Sequence, residues 1–287
     1  MTTKLMLDSG AFSAFTQKTK IDMDKYIEFI KKNEECLEVY FNLDVLSNGG
    51  KSYVNWIHMR ANGLHPVPVY HIGTDEKYLE KYLKIIRHDT QFLDKHQEGP
   101  DIAIGAIANM STDERLKSLD RIWQDYLTDE EGMPVLKVHG FGLTSIRVMR
   151  NYCWWSVDST SWVMFGRYGA ILVPRTIKGE YVYNDNPFIV TVSSKSPKVK
   201  EAGKHFCRYP KNVRKHILKY IHHMGFEIGG EILSWEDGTP EVEVLEEGLS
   251  NVHYQRDMIN MLYYLGVQES MPKWPWAFKT KERIPRL

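Results

Sequence analysis

Apolar residues in the first 175 positions follow two alternating patterns. Short β-rich runs at Lys4 to Leu7, Val39 to Leu43, Pro66 to Tyr70, Ile102 to Ile104, Pro134 to Val138, Trp154 to Val157 and Ala170 to Val173 predict strands. Longer amphipathic stretches at Met23 to Glu35, Lys51 to Ala61, Asp75 to Arg87, Thr112 to Leu127 and Thr144 to Asn151 predict helices between them. Ser111-Thr112-Asp113-Glu114 and Thr74-Asp75-Glu76 open two of these helices with side-chain oxygens that can accept from first-turn amides. Strand and helix in alternation predict parallel strands joined by crossover helices. An eighth strand at Phe188 to Val192 would complete a (β/α)8 TIM barrel, an α/β fold. The expected division is a barrel core at 1–194 carrying the active site, then a C-terminal helical and basic region at 195–287. That second region would complete the barrel and contact nucleic acid, with helices at Lys211 to Met224 and near Gln255 to Leu265.

Composition adds three constraints. With 43% hydrophobic and 26% charged residues the chain can bury a core and lacks the signature of disorder. No apolar run reaches 18 residues and Asp8 interrupts the apolar stretch near the N-terminus, so neither a membrane span nor a signal peptide is read and a cytoplasmic protein is expected. Cys36, Cys153 and Cys207 are too few and too far apart for a disulfide framework or a CxxC-type metal site. The 37 basic and 37 acidic residues balance, but unevenly along the chain. Nine basic residues against Glu201 alone lie between Lys195 and Lys219, and eight acids with no Lys or Arg lie between Glu227 and Glu247. The basic run is either a solvated face or a nucleic-acid contact.

In such barrels the chemistry sits at the C-terminal ends of the strands. Here those ends read Leu7-Asp8-Ser9-Gly10, Asn42-Leu43-Asp44, Tyr70-His71-Ile72-Gly73, Gly105-Ala106, His139-Gly140-Phe141-Gly142 and Val157-Asp158-Ser159-Thr160. Singly, each Asp reads equally well as a helix cap or turn residue, and His71 and His139 as core histidines. Together, three carboxylates, two histidines and several glycines converge on one rim. Two facing carboxylates can divide nucleophilic and proton-transfer work in retaining glycosyl transfer without a metal. No HxH, HExxH or cysteine cluster offers a strong metal site, so no cofactor is expected.

Four motifs, in order, resemble those of the tRNA-guanine transglycosylases. Leu7-Asp8-Ser9-Gly10-Ala11-Phe12-Ser13 resembles the family's Asp-Ser-Gly-Gly-aromatic-Gln motif, and Ile104-Gly105-Ala106-Ile107-Ala108 its Gly-Gly-Leu-Ala base-binding strand end. Val138-His139-Gly140-Phe141-Gly142-Leu143-Thr144 is similar to its Met-Gly-Val-Gly segment. Ser156-Val157-Asp158-Ser159-Thr160 stands where its nucleophile lies, followed by Gly166-Arg167-Tyr168-Gly169 in place of Gly-Arg-Asn-Gly. The resemblance covers about residues 5 to 175. It implies Asp158 as nucleophile on a nucleotide's C1′ and Asp8 as the base that deprotonates the incoming purine. It implies Asp44, Gly105, Ala106, His71, His139 and Gly140 as contacts to that base, and Phe12 as its stacking partner.

The family's Cys3His zinc cluster is missing, for Cys207 stands with only scattered histidines near it, and so is the family's N-terminal extension. Ala11 and Ser13 replace the first motif's second Gly and its Gln. A compact, zinc-less form resembles the phage and bacterial branch that inserts 7-deazaguanine bases into DNA. The expected activity is therefore exchange of guanine in DNA for a free, preQ0-type 7-deazaguanine. Arg167, Arg175, Lys204, Arg208, Lys211 and Arg214 are the candidate phosphate contacts. Three alternatives stay open: the same exchange on tRNA, a metal-dependent barrel hydrolase with His71, His139 and Asp158 as ligands, and a non-catalytic nucleic-acid-binding barrel. A protein partner such as an ATPase or helicase, and the oligomeric state, are not readable.

Overall fold

The computed structural model describes residues 5–95, 98–105, 111–143, 145–201, 203–229, 231–236, 239–243 and 246–278. It is a mixed α/β protein with parallel strands and, among the described residues, ten α-helices. Contacts divide the chain into two compact units, the first Met1–Thr144, Asn151–Asp158 and Pro272–Leu287, the second Ser145–Arg150 and Ser159–Met271. These units interleave in sequence and do not coincide with 1–194 and 195–287. Among the described residues no helix is long and apolar enough to cross a membrane.

The first unit realises the predicted strand and helix alternation. Its elements are β1 (Leu5–Leu7), α1 (Ala11–Thr16), α2 (Met23–Asn33), β2 (Leu37–Tyr40), α3 (Gly49–Ala61), β3 (Val69–His71), α4 (Lys77–Ile86), α5 (Thr90–Lys95), β4 (Ile102–Gly105), α6 (Thr112–Ile122) and β5 (Val138–Gly140). After α7 (Ile146–Asn151) comes β6 (Ser156–Val157). Lys4, the first residue of the expected strand one, lies outside the described residues.

Local chemistry fixes the helix starts. Asp22 accepts from the amides of Asp24 and Lys25 at the start of α2, whose Tyr26, Ile27 and Ile30 pack on Tyr40, Leu43, Met59 and Leu64. Asp75 accepts from Lys77 N ahead of α4, and Ser111 and Glu114 form a capping box on α6. Beyond Ile122, α6 passes into a π turn, Trp123–Leu127, that buries Trp123 and Leu127.

β1 pairs parallel with β2, and β3, β4, β5 and β6 form a parallel sheet in that order. A parallel bridge from Phe41 to Val67 links β2 to the approach of β3, and the buried Asn42 side chain accepts from Val69 N there. The fifth strand lies later than the pattern predicted. Pro134 has no amide to donate and bridges Thr128 instead, and the strand proper carries His139 and Gly140, which dilute its apolar signal.

Register and alternation determine which side chains share a face. Leu7 pairs with Tyr40, His71 with Gly105, Ala103 with His139, and His139 with Ser156. Residues two apart point the same way, so Asp8, Phe41, His71, Gly105, His139, Ser156 and Asp158 belong to one face. That face is concave. β2 and β5 are three strand spacings apart, about 14 Å on a flat sheet. Yet the ring of Phe41, one residue past β2, lies 5.2 Å from that of His139, and Phe141 closes the cluster at 4.6 Å from each.

The second unit holds α8 (Ser161–Arg167), β7 (Ala170–Val173), β8 (Arg175–Ile177), β9 (Glu180–Val182), β10 (Phe188–Thr191), α9 (Lys211–His223), β11 (Glu231–Glu236), β12 (Thr239–Glu243) and α10 (His253–Ser270). The expected eighth strand is present as β10, but it runs antiparallel to β7. A hairpin, β8 and β9, turning at Lys178 and Gly179 with positive φ, replaces the crossover helix that would have reversed the chain. On its other edge β7 is met by a side chain. The fully buried Asn260 of α10 accepts from Leu172 N at 2.8 Å and donates to the carbonyls of Ala170 and Trp162 at 3.1 Å. Ile171, Val173, Val190, Ile217, Tyr220, Ile221 and Ile259 form the core around this strand pair.

Replacing Asn260 with Leu strands the Leu172 amide and the Ala170 carbonyl in an apolar interior. The expected loss is about 3 kcal/mol or more in denaturant unfolding, with an unchanged m-value if the native fold is otherwise retained.

Candidate active site

The site is built entirely within the first unit, at the C-terminal ends of its parallel strands. Asp8 follows β1 directly. Gly10, at φ 75°, then turns the chain into α1, a left-handed conformation in which a side chain is strained. This turn presents Phe12 to solvent, 58% exposed. Ser9 is buried at the turn, accepts from Ala11 N, and donates its hydroxyl to Asp44 Oδ1 at 2.6 Å.

Asp44 is the most constrained of the three carboxylates. Its Oδ1 takes the Ser9 hydroxyl and its Oδ2 lies 2.8 Å from His71 Nε2, with both the Asp44 and His71 side chains at least nine-tenths buried. A carboxylate at that distance calls for a hydrogen on His71 Nε2, while the buried Nδ1 has no hydrogen-bond partner among the described residues. Gly105 makes the pairing possible. A methyl at that position would stand 2.9 Å from His71 Cδ2 and 3.1 Å from Nε2.

On the opposite wall, Asp158 ends β6. Its Oδ1 accepts from Gly142 N at 2.7 Å and lies 3.9 Å from His139 Nε2. His139 is buried against Phe41 and Phe141, with Nδ1 2.8 Å from Ser156 Oγ. Burial pushes its pKa down to about 4, so the imidazole is neutral at physiological pH. Gly140 points away from the concave face. A Cβ there would meet Leu143 at 2.3 Å and Trp154 at 3.0 Å, while its carbonyl accepts from Asp158 N. Its role is to let Leu143 and Trp154 close over the strand.

β1 and β6 are the outer strands of the six, about 24 Å apart if the sheet were flat. The curl brings their carboxylates into each other's field. Surrounding protein pushes the Asp8 pKa up, reinforced by the charge of Asp44 and then of Asp158, against donation from the Ser9 and Gly10 amides. Asp158 is likewise raised by surrounding protein, against donation from Gly142 N and its own amide. Solvent nonetheless reaches both, the Asp158 side chain being 52% exposed. Accessible carboxylates in a crowded, low-dielectric setting are suited to nucleophilic and proton-transfer chemistry.

Of the expected base contacts, Asp44, His71, Gly105 and His139 join Asp8 and Asp158 on this face; Ala106 lies outside the described residues. Ser9, Ser156, Phe41 and Phe141 complete the arrangement. Ser156 carried a usable signal, since it stands two residues before Asp158 on the same strand face; Phe41 gains its place only through the curl.

The six basic candidates all belong to the second unit. Arg175 pairs with Asp185 at 3.1 Å and Lys204 with Glu201 at 2.6 Å, while Arg208 Nε donates to the Val199 carbonyl. Arg167 and Lys211 are exposed and Arg214 is half-buried beside Cys207. Lys211, Lys215 and Lys219 recur every four residues on the exposed side of α9, opposite the buried Ile217, Tyr220 and Ile221.

Cys36, Cys153 and Cys207 are free thiols. His71 Nε2 is taken by Asp44, and among the described residues no group of three or more His, Cys, Asp or Glu side chains could hold a metal ion. In comparisons with known proteins the chain matches no family model, no curated protein and no solved structure.

Two outcomes follow from this geometry. Gly105→Ala drives the new methyl against a buried ring and separates His71 from Asp44, costing about 1–3 kcal/mol in denaturant unfolding and shifting the His71 imidazole resonances. The Asp8 pKa is higher folded than unfolded, so its ionisation weakens the fold at neutral pH; this penalty is absent below the ordinary carboxylate pKa and complete above the raised one. Asp8→Asn therefore raises the thermal midpoint at pH 7, and the gain vanishes near pH 3, as paired melts of the two proteins would register.

Proposed function

We propose that the protein is a base-exchange transglycosylase that replaces guanine in DNA with a 7-deazaguanine of the preQ0 type through a covalent Asp158 intermediate. The observation that carries this reading is that Asp8 and Asp158 stand on one concave face at the strand ends. They are accessible carboxylates at the ends of the first and sixth strands, near enough for the charge of one to raise the pKa of the other. The motif resemblance assigns the same two residues.

In this reading Asp158 attacks C1′ and the C1′–N9 bond breaks toward guanine. Asp8, its pKa raised, supplies the proton to the departing base and recovers one from the incoming base. The incoming nitrogen then attacks C1′ and frees Asp158. Retention of configuration follows from two displacements at one carbon. The buried Asp44–His71 pair, tied to Ser9, braces the strand ends against which the purine edge would lie. Phe12 offers an exposed ring for stacking. The curled parallel sheet supports a (β/α)8 barrel as the architecture around the site.

Paired bases are out of reach, so the enzyme acts on a flipped or single-stranded nucleotide, at a cost of about a few kcal/mol. Contacts to phosphate offset that cost. The Lys211, Lys215 and Lys219 stripe and Arg167 are the groups best exposed for it, and binding weakens steeply with salt.

The test is incubation of the purified protein with guanine-labelled duplex DNA, single-stranded DNA or tRNA at one salt concentration, together with a 7-deazaguanine base, followed by nucleoside mass spectrometry. Expected are label release and incorporation into DNA, with a covalent adduct that Asp158→Asn abolishes without unfolding the protein. Incorporation into tRNA alone would move the substrate; an adduct surviving in Asp158→Asn would remove the nucleophile.

A further inference from the structure

The two oxygens of Asp158 are not equivalent. Oδ1 accepts from Gly142 N and faces His139 Nε2, whereas Oδ2 has no donor among the described residues. His139 is held by its neighbours: its ring packs on both Phe41 and Phe141, which also touch each other, and Nδ1 is bonded to Ser156, its register partner across β5 and β6. Its Nε2 is buried and has no hydrogen-bond partner among the described residues. A neutral imidazole carries one hydrogen, and its position follows from electrostatics. On Nδ1 it would turn the Nε2 lone pair toward a carboxylate. The arrangement that suits a facing carboxylate has the Ser156 hydroxyl donating to Nδ1 and the ring hydrogen on Nε2.

We propose that His139 is a positioning residue for the nucleophile: its Nε2–H, set by Ser156, closes on Asp158 Oδ1 during the reaction and leaves Oδ2 to bond C1′. The inference rests on the transglycosylase reading and adds which atom attacks and what holds it. In the first displacement Oδ2 bonds to C1′ while the C1′–N9 electron pair leaves with guanine, which takes its proton from Asp8. In the resulting ester Oδ1 is the carbonyl oxygen. In the second displacement the incoming base, deprotonated by Asp8, bonds C1′ and the Oδ2–C1′ electron pair returns to Asp158. Negative charge then redevelops over both oxygens, and Gly142 N–H and His139 Nε2–H are already in place to receive it. His139 gives up no proton. At 3.9 Å the resting separation is too long for a hydrogen bond; such contacts tighten in the reacting complex.

Steady-state exchange and rapid-quench adduct measurements on His139→Leu, His139→Gln and Ser156→Ala test this. His139→Leu lowers kcat about 100-fold and leaves KM for the incoming base within about twofold. His139→Gln, whose side-chain amide can donate near the Nε2 position, recovers about tenfold of the loss, and Ser156→Ala slows turnover by about tenfold. A raised KM with kcat preserved would make His139 a contact to the base and overturn the proposal. So would equal losses in the Leu and Gln variants that track their melting temperatures.

A second readout needs no turnover: the Asp158 carboxyl pKa followed by carbon NMR, with Asp8 the other carboxylate facing it. Even across the resting 3.9 Å the Nε2–H dipole favours the charged carboxylate, so its loss in His139→Leu raises the Asp158 pKa slightly and His139→Gln lowers it again. No adduct in the wild type with this coupling intact would defeat the transglycosylase reading while upholding the pairing. An Asp158 pKa unmoved in His139→Leu would defeat the pairing itself.

Discussion

The ring of Phe41 meets those of His139 and Phe141 across a sheet that would hold β2 and β5 far apart if it were flat, and the site depends on this contact. Apolar rings packed on the inner face draw β2 toward β5, and Tyr26 helps by donating to the Phe41 carbonyl. Curvature turns residues far apart in sequence into neighbours. It crowds Asp8 and Asp158 with protein while solvent still reaches them, and it holds His139 dry enough to stay neutral.

Within that curved face the polar groups fall into two sets. Ser9, Asp44 and His71 form a buried chain in which both oxygens of Asp44 have donors. Such a chain is a rigid part, because any change in one member leaves another buried without a partner. Asp8 and Asp158 are the opposite case: accessible and raised in pKa, they carry repulsion that the fold tolerates. Backbone amides of Ser9, Gly10 and Gly142 limit the cost by donating to the charged forms. The groups suited to chemistry are thus the less settled ones, and the settled ones hold them in place.

The second unit solves a different problem. β7 is apolar on every residue and fully buried, so its backbone groups need partners on both edges. β10 supplies one edge as an antiparallel strand, and Asn260 of α10 supplies part of the other. The same unit places lysines along one side of α9, where the buried residues opposite leave them nowhere to point but into solvent. A neutral chain therefore carries a localised positive surface.

Much of the first unit was legible in the sequence because its signals are local. Capping oxygens at Asp75 and Ser111 mark helix starts, and apolar runs broken by Asp8, Asp44, His71 and Asp158 mark strand ends; each depends on a few adjacent residues. The antiparallel direction of β10 was not legible, since a short apolar strand such as Phe188–Thr191 reads the same both ways. Nor was the true fifth strand, whose His139 and Gly140 weaken its apolar pattern. That Asp44 is already bonded by Ser9 and His71, and that Ser156 orients His139, depends on register between strands. Register is set by packing over the whole sheet, so the sequence by itself determined which chemical groups reach the strand ends, and only the tertiary structure decided which of them touch.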